Sequence, residues 1–229
     1  MKMRYILTTL AMILCGLYAK AQDEPEYRAE IGAGAGLMGY LGDYNSSLTN
    51  GIQPMGEVIG RYKFNPRNAL RFSVMYGQIK GNANGTGTWY PEDATGKTSF
   101  SSSLVDIGIG YEYNFWPYGT GREYRGAKPF TPYITIGLGA TVAGGSGDGA
   151  FGMNIPLGVG VKYKLATRLN LGVEWAMHFS TSDELDGVKD PYGIKSSGMF
   201  KNTDCYHTLK LSITYDIAPK CKTCNNDRD

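Results

Sequence analysis

Leu104-Val105-Asp106-Ile107-Gly108-Ile109-Gly110-Tyr111-Glu112-Tyr113-Asn114-Phe115 alternates apolar and polar residues with period two. Successive side chains of a strand point to opposite faces. Val105, Ile107, Ile109, Tyr111, Tyr113 and Phe115 therefore share a greasy face, and Asp106, Gly108, Gly110, Glu112 and Asn114 form the other. A soluble sandwich with its apolar face turned inward uses the same strand, so this stretch alone does not decide the environment.

Repetition and targeting decide it. Seven other segments carry the same alternation: Glu30 to Leu41, Met55 to Phe64, Ala69 to Ile79, the Ile134 to Val142 run, Ile155 to Leu165, Leu169 to Phe179 and Leu209 to Ile217. They follow a secretory signal over 1–21. Lys2 and Arg4 give its charged start, Ile6 to Leu17 its apolar stretch and Ala19-Lys20-Ala21 its cleavage site. Cys15 is not preceded by the small residue that a lipobox places there. No second long apolar run follows. A mature chain without a membrane helix enters a bilayer only as a closed barrel, because lipid satisfies no backbone hydrogen bonds. The expected fold is an eight-stranded antiparallel transmembrane β-barrel over 22–217, followed by a tail over 218–229.

Composition agrees. The 32 glycines suit crowded or bent strands, and the 17 tyrosines suit the lipid–water boundary. Loss of Lys2, Arg4 and Lys20 brings the 23 basic residues close to the 21 acidic ones, which gives no support for a nucleic-acid partner.

The connections after the first, third and seventh segments are long and polar, and those after the second and sixth are tight turns. Outer-membrane barrels have long outer loops and short periplasmic turns. Both termini are therefore expected in the periplasm. Two connections fit less well: Trp116 to Phe130 is long for a periplasmic turn, and Gly144 to Gly152 is short for an outer loop.

Parity puts Glu57, Arg61, Arg71, Asp106, Glu112, Lys162, Lys164, Glu174 and Lys210 inside. Eight strands leave an interior just wide enough for side chains. These residues read as a paired polar plug rather than a pore lining.

The short motifs are weak. Gly32-Ala33-Gly34-Ala35-Gly36 lacks the strand–loop–helix context of a dinucleotide site. The Ser182–Gly187 acidic run lacks the calcium-loop spacing. No cofactor and no metal site are expected, and His178 and His207 are the only histidines. His178-Phe179-Ser180 resembles the His-x-Ser pair of the lipid A deacylases, which are also eight-stranded barrels that work at their lipid-facing side. Here parity turns both residues inward, Thr181 stands where that family has asparagine, and only Glu184 is at hand to orient the histidine. No catalytic residue is assigned. Cys205, Cys221 and Cys224 remain after cleavage, an odd number in an oxidising compartment. Cys221-Lys222-Thr223-Cys224 reads either as a local disulfide or idle thiols, or as a link to a periplasmic partner.

Tyr40-Leu41-Gly42-Asp43, Thr131-Pro132-Tyr133-Ile134, Gly158-Val159-Gly160-Val161-Lys162-Tyr163 and Asp183-Glu184-Leu185-Asp186-Gly187-Val188 occur in one order along most of the mature chain. Together they resemble the PorG family of outer-membrane barrels, part of the type IX secretion and gliding machinery of Bacteroidota. The chain departs from that pattern at His178, where an arginine is expected, and at Gly187, where an aspartate is. The resemblance implies a barrel without catalysis that anchors or contacts a periplasmic ring of the PorK/PorN type. Two other readings stand beside it: a free-standing surface barrel of the OmpX kind with binding outer loops, and a lipid A-modifying enzyme.

Overall fold

The computed structural model describes residues 25–41, 47–82, 99–120, 127–145, 150–181 and 204–219. Eight strands follow one another: β1 (Tyr27–Leu41), β2 (Gln53–Lys63), β3 (Asn68–Asn82), β4 (Ser99–Asn114), β5 (Phe130–Gly145), β6 (Ala150–Ala166), β7 (Leu169–Ser180) and β8 (Cys205–Pro219). Each pairs antiparallel with its neighbours in sequence, and β1 pairs with β8 from Tyr27↔Pro219 to Leu41↔Cys205. The sheet is a closed barrel with no free edge.

Sequence parity and structure agree on the faces. Val58, Ile107, Ile136, Leu138, Val159, Leu211 and Ile213 stand outward and exposed. Their partners at odd offsets point into the lumen. An exposed apolar surface around a whole barrel would aggregate in water; in a bilayer it is the surface that lipid covers. The strands run longer than the sequence segments. β5 reaches Gly145 and β6 starts at Ala150, so this connection is short because the β5–β6 ladder continues to Ala143↔Ala150. β8 begins at Cys205, not at Leu209.

The two tight turns lie at the end where β1 begins and β8 ends, here called the terminal end. In the β2–β3 turn the Asn65 side chain accepts from the backbone N–H of Arg67 and of Asn68, each at 2.8 Å. An Asx turn of this kind closes the hairpin without glycine. Thr167 and Arg168 close β6 onto β7, next to a register shift between Lys164 and Ala166.

Glycine clears the lumen wall where long side chains need room. A Cβ on Gly160 would stand 2.7 Å from the Tyr133 ring, and one on Gly139 would stand 2.7 Å from the Asn154 amide. Neither fits, so these glycines let Tyr133 and Asn154 fill the centre.

Candidate functional site

The lumen is layered. Next to the terminal end an ion-pair chain runs Lys164–Asp216–Lys63–Glu30–Arg61–Glu112–Lys162, drawing on β1, β2, β4, β6 and β8. Arg61 contacts Glu30 at 2.6 Å and Glu112 at 3.0 Å, and Lys63 stands 3.2 Å from Glu30. A second chain runs Arg71–Glu174–Lys210–Glu57; Lys210 lies 3.1 Å from Glu174 and 2.8 Å from Glu57. The Tyr133 hydroxyl donates to Glu174 at 2.7 Å. Among the described residues Asp106 makes no ion pair. Its Oδ2 instead accepts from Tyr206 at 2.8 Å, Thr141 at 2.9 Å and the Asn154 amide.

Above Asp106 the lumen turns apolar. Met38, Tyr40, Met55, Met75, Ile79, Phe100, Leu104, Ala143, Ala150 and Tyr206 form one buried cluster towards the far end. The Tyr40 ring meets Phe100 edge-on at 4.8 Å, and its hydroxyl donates to Asp204 at 2.5 Å. A cluster of this kind excludes water from the far half of the barrel.

The terminal mouth is capped by the described residues, 115–120 and 127–129, of the long connection between β4 and β5. Tyr118 is buried there, and its hydroxyl donates to Asn170 at 2.8 Å. Burial pushes that hydroxyl well above its ordinary range, with Glu30 and Asp216 reinforcing the shift, so it stays a neutral donor. The Tyr118 N–H bonds Pro66 of one tight turn at 3.0 Å, and the Thr120 hydroxyl bonds Thr167 of the other at 2.5 Å. Lys128 donates its N–H to Pro117 at 2.7 Å. The ammonium groups of Lys162 and Lys164 lie 5.7 and 5.6 Å from the Tyr118 ring centre. Residues 115–120 and 127–129 of this connection therefore form a lid seated on both neighbouring turns, with Tyr118 reaching into the barrel; 121–126 lie outside the described residues.

All nine polar residues assigned inward by parity face the lumen; Lys164 is the least covered, at the mouth. Glu30, Lys63 and Asp216 complete the ion-pair chain. Parity already turned Lys63 inward, but Glu30 and Asp216 lie where the strands could as easily have ended. The apolar cluster had a signal too: Val74-Met75-Tyr76 and Leu104-Val105 are apolar on both faces.

His178 and Ser180 are buried in the lumen, away from the lipid-facing surface. The His178 ring stacks on Tyr206 at 4.4 Å, and among the described residues neither of its nitrogens has a hydrogen-bond partner. His207 has outward parity but is covered, its ring lying over Gly39. Among the described residues no group of three His, Cys, Asp or Glu side chains could hold a metal. The signal segment, Glu184, Cys221 and Cys224 lie outside the described residues.

Cys205 lies at the far end of β8, and the tail leaves from the terminal end. Fourteen strand steps separate Cys205 from Pro219, roughly 45 Å. Cys224 can reach no further than about 18 Å beyond Pro219. Cys205 is thus out of reach of Cys221 and Cys224 of its own chain.

The sequence model of a family described as a domain of unknown function, DUF6089, matches residues 4–226. No curated protein matches the chain. Among solved structures, neisserial surface protein A is 19% identical, with 82% of this chain and 97% of that chain covered and a TM-score of 0.50. Ail, the attachment invasion locus protein of Yersinia pestis, is 12% identical over 84% of this chain and 99% of its own, with a TM-score of 0.47. The outer-membrane enzyme PagL is 12% identical over 82% and 99%, with a TM-score of 0.40. The first of these likenesses establishes the outer-membrane barrel fold and leaves the role of the barrel open.

Proposed function

The chain belongs to the DUF6089 family, and from the filled lumen and the seated lid we propose that it is a non-enzymatic outer-membrane barrel of the type IX secretion and gliding machinery. In this reading both termini lie in the periplasm. The barrel anchors or contacts a periplasmic lipoprotein ring of the PorK/PorN type.

The lid is the observation that carries the reading. A lumen packed with paired charges and closed by an apolar cluster leaves little for transport, whereas the lid and the two turns under it offer one fixed surface at the terminal end. The ordered motifs that resemble the PorG family supply the identity of the machinery. In this reading the tail cysteines, Cys221 and Cys224, contribute to the link. The inward burial of His178 and Ser180 speaks against chemistry on lipid A.

The test is a mild-detergent pull-down of the tagged protein from native envelopes, on reducing and non-reducing gels with mass spectrometry, beside a secretion assay in a deletion strain. Co-recovery of a periplasmic lipoprotein and loss of secretion are expected. Recovery of the barrel alone with normal secretion would move the assignment to a free-standing surface barrel with binding outer loops. If changing Cys221 and Cys224 to serine leaves both association and secretion intact, the thiol link is dropped.

A further inference from the structure

Cys205-Tyr206-His207 opens β8 with a thiol and an imidazole two residues apart. A strand turns such residues to the same face, so Cys205 and His207 stand together on the outside while Tyr206 fills the lumen. β7 adds a third soft donor. Met177 has outward parity and lies directly opposite His207 in the ladder, two residues from the Phe179↔Cys205 pair. Opposite residues of an antiparallel pair have Cβ atoms about 4.5–5.5 Å apart, and alternate residues of one strand lie about 7 Å apart. Thiol, imidazole and thioether are therefore within a side chain's length of one another.

This corner is covered, unlike the rest of the same face. Val173 and Trp175 on β7 and Leu209 and Leu211 on β8 are exposed, whereas Met177 and Cys205 are half-buried and His207 is only 7% exposed. On β1, Gly39 lies opposite His207 and makes room for the ring, since a Cβ there would collide with Nε2. The backbone of the β1–β2 connection comes up to the imidazole at Leu48 without reaching hydrogen-bonding geometry. Among the described residues neither nitrogen of His207 has a hydrogen-bond partner. A buried imidazole of this kind keeps an unused lone pair beside two sulfur atoms.

We propose that Cys205, His207 and Met177 bind a soft monovalent cation, Cu(I). The donor set selects the ion. Thiolate and thioether sulfur suit Cu(I), and imidazole completes the set. Zinc takes cysteine, histidine and carboxylate ligands, usually four, and has no use for a thioether. The nearest described carboxylate, Asp204, accepts from Tyr40 instead. Binding replaces the S–H bond of Cys205 with a Cu–S bond, and the proton leaves to solvent. The site lies at the far end, away from the lid, and does not depend on the secretion reading.

Anaerobic titration of the detergent-purified protein with Cu(I), against a chromophoric Cu(I) chelator, tests this. Cys221 and Cys224 are changed to serine in every sample, because a Cys-x-x-Cys tail takes up Cu(I) by itself. One Cu(I) per barrel is expected, with both sulfur and nitrogen neighbours in X-ray absorption. Cys205→Ser should abolish uptake. His207→Gln and Met177→Leu should each weaken it about ten-fold or more, since even supporting residues of a metal site cost that much. Met153→Leu, at an exposed position on β6, should change nothing. All variants are compared as folded, heat-modifiable barrels, and the nearly isosteric Met177→Leu keeps the test open if Cys205→Ser fails to fold. No uptake with Cys205 intact, or uptake that survives Cys205→Ser, would overturn the proposal. So would full affinity in His207→Gln or Met177→Leu. Zinc bound as tightly as Cu(I) would overturn the choice of ion.

Discussion

The Arg61 guanidinium on β2 bonds Glu112 on β4 at 3.0 Å, reaching past β3 through the lumen. The same group holds Glu30 on β1 at 2.6 Å. One side chain thus joins three strands of which β4 is no neighbour of β2 in the sheet. Buried ion pairs add little net stability, because desolvation offsets the attraction, but removal of one partner leaves the other charge stranded.

Arg61→Met should therefore destabilise the barrel by about 3–5 kcal/mol. Arg61→Lys, which keeps the charge but not the two-sided fork, should lose less. Denaturant unfolding in detergent micelles, followed by heat modifiability on gels, measures both. Equal stability of Arg61→Met and the parent would mean that the ion-pair chain does not hold these strands together.

Tyr118 anchors the lid through Asn170 inside the barrel. Tyr118→Ala should loosen the lid and expose it to protease while the strands stay protected. Conductance in planar bilayers should remain near baseline, because the charged layers and the far-end apolar cluster still block the lumen. Large stable currents would show that the lid alone closes it.

The lipid-facing assignment is tested by charge. Ile107 lies mid-strand and exposed on the outer face. Ile107→Arg should cost about 2–4 kcal/mol in lipid, the cost of a cation near the bilayer midplane. The change should matter far less for Leu48, in the β1–β2 connection. Folding yields into vesicles of defined composition report the difference.

Cys205 and the tail thiols should never be joined within one chain. Peptide mapping under non-reducing conditions should yield no such bridge in the monomer band. A monomer in which Cys205 is bonded to Cys221 or Cys224 would require β8 to end elsewhere.

The strands were legible because lipid outside and charge inside force strict alternation along β4, β6, β7 and β8. Parity alone carried Glu57, Arg61, Arg71, Asp106, Glu112, Glu174 and Lys210 to the lumen. The rule weakened where its physical cause does. Near the far end the interior is dry, so Met75 and Leu104 are apolar inside as well as out, and the alternation disappears. Near the terminal mouth Glu30 and Asp216 look like solvated strand ends, because the sequence does not say that Tyr118 covers them. The lid itself could be read only as a connection of unexpected length. Its seat depends on Pro66, Thr167 and Asn170, which are distant in the chain and carry no local signal.

In the proposed function the terminal end is the contact surface. A photo-crosslinking amino acid placed at Gly119 or Thr120 of the lid, and in parallel at Leu48 in the β1–β2 connection, tests it in living cells. Adducts with a periplasmic lipoprotein from the lid positions, and none from Leu48, are expected. Adducts from Leu48 alone would contradict the claim and identify the opposite end as the working surface.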